Sequence, residues 1–158
     1  MIRDYQRRGM QLMAAAEQQL ALLDKVDAKT QQGLLEAAVV HLYQAYRCYL
    51  AEVSTAYHVE LSALPAYWSL SELENLLASQ GLHSGELTEL ASQPWVKTLV
   101  ELHRYSQRLS QKADVKPSAS VIALQSSTVK AISASTVDSV LQDMRQIIAR
   151  QRTDAQEC

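Results

Sequence analysis

An all-α fold is what this sequence predicts, and three observations carry the prediction. Leu35, Val39, Leu42, Tyr43, Tyr46, Tyr49, Leu50, Val53 and Tyr57 fall on one face of a single helix, within about 60° either side of Tyr46. Gly and Pro are scarce, at 4 and 3 among 158 residues, so the chain has few turn-makers. Three further long segments repeat apolar residues at the same helical period. The expected architecture is one domain over residues 1–158: a helical bundle of four long helices, with a short helical pair between the second and third.

The first helix is expected over about residues 2 to 25, where Ile2, Tyr5, Leu12, Met13, Ala16, Leu20 and Leu23 share a face with Gly9. The second is expected from about 30 to 58, capped by Thr30 or Asp27. Its tyrosine-rich seam has near-heptad spacing, which suits near-parallel packing. Its back carries Ala37, Val40, Cys48 and Ala51, so the helix is either central in the fold or meets another subunit there.

Residues 59 to 68 make a connection containing Pro65, with Tyr67 and Trp68 as its anchors. Both Ser69/Glu72 and Ser71/Glu74 fit a capping box for a short helix that Gly81 stops. Residues 85 to 92 add one or two turns. Pro94 suits the first position of the next helix, whose stripe is Trp95, Leu99, Leu102, Ser106 and Leu109; Pro117 bars its continuation. Residues 114–135 read as an irregular linker in which Val121 to Leu124 fits a strand or a helical turn equally well. A last helix from about 136 to 152 points Val137, Val140, Leu141, Met144, Ile147 and Ile148 inward, and 153–158 reads as a frayed tail.

Composition narrows the function classes. Net charge is −2, which gives no bulk attraction for phosphate backbones and makes nucleic acid an unexpected partner. No apolar run approaches the ~20 residues that span a bilayer, so no membrane is expected. Cys48 and Cys158 make no disulfide framework, and free thiols point to a cytoplasmic protein.

The motifs of catalysis are missing. None of His41, His58, His83 and His103 follows a Glu by three residues, no two are four apart, and there is no Cys-x-x-Cys, so no metal is expected. Neither phosphate-cradling glycine pattern occurs, nor the serine-hydrolase elbow, so no cofactor and no catalytic residue is assigned.

Four residues remain as candidate ligand or partner contacts: Tyr46, Arg47, Tyr49 and His103. Buried tyrosine hydroxyls need partners, so the seam either lines a polar cavity or reaches the rim of the core. Arg47 lies at the edge of that seam, where it anchors a ligand or lays its stem over the core and pairs its head with a carboxylate. His103 sits beside Leu99 on the apolar face of its helix, as a ligand contact or as a neutral core histidine bonded to a carbonyl or a tyrosine.

The run Ala38-x-x-His41-Leu42-x-x-Ala45-Tyr46-Arg47-x-x-Leu50-x-Glu52, then Ser69-Leu70-x-Glu72-Leu73-x-x-Leu76-Leu77, then Trp95 opening a helix, resembles a small family of bacterial helical proteins of unknown function. The resemblance spans about residues 2 to 113 and rests mostly on packing and capping residues. It implies a bacterial cytoplasmic protein with one helical domain and brings no activity with it. The size and topology also resemble the higher-eukaryote-and-prokaryote nucleotide-binding (HEPN) bundles, whose active ribonucleases carry an Arg closely followed by a His. Here ten residues separate Arg47 from His58, and no His follows Arg104 or Arg108, so that cleavage motif is absent.

Function is thereby left as three expectations. The first is a non-enzymatic helical interaction protein, with an unidentified protein partner or a second copy as a homodimer through a helix face. The second is a small-molecule-binding bundle with a tyrosine-lined cavity near Tyr46, Tyr49 and His103. The third is a degenerate HEPN-like RNA-associated protein, which needs a coherent basic face around Arg47, Arg104 and Arg108.

Overall fold

The computed structural model describes the backbone of residues 1–114 and 131–157 and the side chains of 1–111 and 131–157. The regular structure among these residues is helical: α1 (Ile2–Ala21), α2 (Ala28–Ala56), α3 (Leu70–Ser79), α4 (Gly85–Ser92), α5 (Pro94–Asp114) and α6 (Ala134–Glu157), with 3-10 turns at Leu23–Lys25 and Leu61–Ala63. The fold is all-α. The Val121 to Leu124 stretch and Val129 lie outside the described residues; Ile132, just before α6, is buried in the core.

Local chemistry sets the helix ends. Asp27 caps α2 by accepting from the Thr30 N–H at 2.7 Å, so Asp27 rather than Thr30 is the cap and the helix starts two residues earlier than expected. Of the two possible capping boxes, Ser69/Glu72 forms: Ser69 Oγ accepts from Glu72 N–H at 3.3 Å and Glu72 Oε2 accepts from Ser69 N–H at 2.6 Å. Gly81, at φ 71°, ends α3 with the Leu82 N–H donating to the Leu77 carbonyl. The end of α2 has the same hydrogen-bond pattern, Val59 N–H to Ser54 O and His58 N–H to Thr55 O, but a histidine at φ 58° takes the left-handed position. Without a glycine there, the sequence gives no stop signal at that point.

α2 is the central element. It packs along α1 and also meets α4, α5 and α6, while α6 touches both α1 and α5. Seven of its nine seam residues are buried, and Tyr43 and Tyr57 are half-buried against the same core. Leu42, Val39 and Leu50 are wholly enclosed together with Leu99, Val137, Leu141 and Met144. Each enclosed aliphatic side chain of this cluster contributes about 1.5–3 kcal/mol.

The back of α2 is covered from within at its middle. A methyl group added at Gly9 of α1 would sit 3.7 Å from Cys48 Cβ and 3.8 Å from the Ala45 carbonyl oxygen. His41 Nδ1 lies 2.9 Å from Gln19 Oε1 of the same helix. Of the back-face residues, Cys48 therefore meets α1 at close range.

Two expectations, one for the connection before α3 and one for the end of α6, are corrected. Tyr67 is 96% exposed and anchors nothing; Trp68 does anchor the connection before α3, together with the buried Val59. α6 runs on to Glu157 instead of ending near Arg152, because Gln151 is buried and Arg152 is engaged with α2, which ties the last turns to the body.

Candidate functional site

Two helices place matching stripes on either side of a groove. Tyr43, Tyr46, Arg47 and Leu50 on α2 follow the i, i+3, i+4, i+7 spacing, and so do Val100, His103, Arg104 and Gln107 on α5. The segment from Ala66 to Ser71, which leads into α3, forms the third side. Together they enclose about 670 Å³ that stays open to solvent, within the range of small-molecule sites.

The walls of the groove are flat rings held by one another. His103 and Tyr43 stack in parallel, with centroids 3.7 Å apart and planes 6° from parallel. Tyr43 leans on Tyr46 at 6.2 Å, and Tyr46 meets the buried Trp95 edge-on at 6.0 Å and 85°. The Trp95 indole N–H is buried without a hydrogen-bond partner among the described residues. Next to Tyr46 on α2, the Arg47 guanidinium carbon lies 3.5 Å above the Trp68 ring, and its Nη1 donates to the Trp68 carbonyl. Its head is thus fixed by an indole face and a backbone oxygen, not by the carboxylate the sequence reading allowed.

Protonation states follow from this burial. Burial, reinforced by Tyr43, pushes the Tyr46 hydroxyl well above the usual tyrosine range, so it stays a neutral donor. Burial lowers the His103 imidazole below 6.5, so the stacked ring is neutral at pH 7, and the Gln107 amide lies 3.4 Å from its Nε2.

Tyr46, Arg47 and His103 are therefore brought together as expected, and Tyr49 is not. Tyr49 faces the other side of α2, where its hydroxyl donates to Gln151 Oε1 at 2.5 Å. Gln151 Nε2 in turn reaches Glu89 Oε2 at 2.7 Å, and Arg150 pairs with the same Glu89. Beside it the buried Glu52 accepts from Arg152 Nε at 3.0 Å and Nη2 at 2.7 Å, and from Gln6 Nε2 at 2.8 Å. These partners fasten α6 and α1 to α2 and leave a space of about 170 Å³. Burial raises the Tyr49 hydroxyl, as does the adjacent Glu52 charge. The polar groups of this cluster are spent on each other, which makes it a clamp.

Tyr43 and Trp68 complete the groove and were not among the four candidates. Tyr43 was legible, since it lies three and four residues before Tyr46 and Arg47. Trp68 was not, because nothing in the sequence says which helix face a connection will cross. Among the described residues, no group of three or more His, Cys, Asp or Glu side chains is placed to hold a metal ion, and no helix is long and apolar enough to cross a membrane.

No curated protein and no solved structure matches the chain. A family model does, over residues 1–158: the chain belongs to DUF6586, a family of unknown function.

Proposed function

We propose that this is a non-enzymatic binding protein that seats a small molecule in the groove between α2 and α5. One observation carries the reading: Tyr43, stacked on His103 and tilted against Tyr46, borders with them an open space of about 670 Å³ that the Arg47–Trp68 pair also lines. Rings locked by stacking offer flat apolar surface with little ordering cost on binding. The polar groups of the groove suit orientation rather than bond-making, since Tyr46 is held protonated and Arg47 is tied to Trp68. A reducing, cytoplasmic setting belongs to the same proposal and is supported by the unpaired Cys48 thiol.

The test is a screen of aromatic fragments by amide chemical-shift mapping on the isotope-labelled protein. Saturable shifts clustered at residues 43–47, 66–71 and 96–107 are expected, with affinities of about 1 mM or better, the usual level for fragments. Shifts scattered over the surface, or none that saturate, would remove the groove as a ligand seat. Protein interaction is a second reading, favoured by Tyr67, whose fully exposed ring stands at the lip of the groove as interface tyrosines do. Light scattering across a concentration series checks its homodimer form, and a constant monomer mass counts against it.

A further inference from the structure

We infer that the ligand of this groove is a planar aromatic molecule carrying an oxyanion, a carboxylate or phosphate on or near the ring. The inference rests on the groove being a ligand seat and adds the charge and shape of what it takes. Two guanidinium groups, Arg47 and Arg104, line the space, and no Asp or Glu does. The chain as a whole carries −2, so a carboxylate-free cationic groove runs against the average surface. Among the described residues neither arginine forms an ion pair, whereas Arg7, Arg145, Arg150 and Arg152 do.

Arg47 is also preorganised. Stacking on Trp68 and one hydrogen bond to the Trp68 carbonyl fix the plane of its guanidinium, yet only one of its five N–H donors is used there. A fixed fork with free donors is the geometry that recognises carboxylate and phosphate in pairs of hydrogen bonds. Leu70 and Ser71, in the first turn of α3, line the same space, so the positive end of that helix dipole adds to the field. Glu72 is engaged on the Ser69 N–H; Glu74 is near enough to raise the Tyr46 hydroxyl; neither lines the groove. The rest of the ligand meets rings: the Tyr43–His103 stack that joins α2 to α5, and the exposed Tyr67 at the lip.

Three probes of matched size separate the parts of this inference: 2-naphthoate, 2-naphthylmethylammonium and the saturated decahydronaphthalene-2-carboxylate, each titrated by calorimetry and amide shift mapping. Naphthoate is expected to bind in the groove about tenfold or more tighter than either of the others, as a charge-assisted pair combined with stacking requires. Arg104→Glu, an exposed site on α5 that spares the core, is expected to weaken naphthoate by about tenfold and to strengthen the ammonium probe. Arg47→Lys keeps the charge but not the fork and is expected to weaken naphthoate as well. Equal binding of naphthoate and the ammonium probe in the groove overturns the anion assignment while leaving the groove as a seat. Equal binding of naphthoate and decahydronaphthalene-2-carboxylate overturns the aromatic assignment. No saturable binding of any probe at about 5 mM, far above ordinary fragment affinities, overturns both this inference and the seat on which it rests.

Discussion

Replacing Arg152 by Ala tests whether the end of α6 is clamped or merely helical. Glu52 is 6% exposed, and Arg152 satisfies both its oxygens, at 3.0 and 2.7 Å, leaving Gln6 as the other donor. Breaking a fully buried pair costs about 3–5 kcal/mol, because the remaining charge is stranded out of water. The Arg152 side chain is itself 22% exposed, so water can enter once it is truncated, and the expected loss falls to about 2–3 kcal/mol. For a chain of this size that is a fall of roughly 4–12 °C in Tm. Glu52→Gln in the Arg152→Ala background removes the stranded charge and should recover about 1 kcal/mol or more, which is the signature of an ion pair in a double-mutant cycle. Urea denaturation followed by helical circular dichroism at pH 7 measures all four corners. If Arg152→Ala costs under about 0.5 kcal/mol, or the two changes simply add, Glu52 is not held as described and the clamp is wrong.

Two further outcomes are expected. Leu42→Ala removes a side chain with no exposure at the centre of α2 and should cost about 2–5 kcal/mol; a chemical-denaturation midpoint that hardly moves would show the seam is misplaced. His103 should titrate below its ordinary 6.5 in the folded protein, because burial disfavours its charged ring. Its depressed folded value means the unfolded chain takes up that proton first. Stability from this group is therefore complete above pH 6.5 and is lost as the pH falls through the folded value. A ring-proton NMR titration of wild type against His103→Gln identifies the resonance, and a value at or above 6.5 contradicts the stacked, half-buried placement.

What the sequence discloses is whatever one helix can state about itself. The seam of α2, the stripe of α5, the Ser69/Glu72 box and the Gly81 stop each depend on residues within about two turns of each other, and each is found in the structure. The end of α6, at Glu157, is hidden from the sequence for the opposite reason. Gln151 and Arg152 look like ordinary polar tail residues until Tyr49 and Glu52, about a hundred positions away, are set beside them. Glu52 itself stands on the flank of α2 where an exposed glutamate is the default, and only its long-range partners make its burial tolerable. A pattern of periodicity cannot show a polar residue as interior when its partner lies on another element.

The same limit explains why the four candidate residues divide between two sides of α2. Tyr46 and Tyr49 are three residues apart, about 60° around the helix, and on sequence grounds they share one seam. A central helix with neighbours on several sides turns that angle into a boundary. Tyr46 faces α5, where Trp95 and His103 present rings, and beside it on α2 stand Tyr43, stacked on His103, and Arg47, laid over Trp68. Tyr49 faces α6, where Gln151 and Arg152 present donors and acceptors. Equivalent phenols thereby acquire different work: one is part of an open wall, the other is consumed in closing the bundle. Tyr49→Phe should consequently weaken the attachment of α6 and leave probe binding in the groove unchanged, whereas Tyr43→Ala should remove a wall and weaken the probe at modest cost to folding, since Tyr43 is only half-buried. If Tyr49→Phe abolishes probe binding in a protein that remains folded, the two sides of α2 form one site and the division drawn here fails.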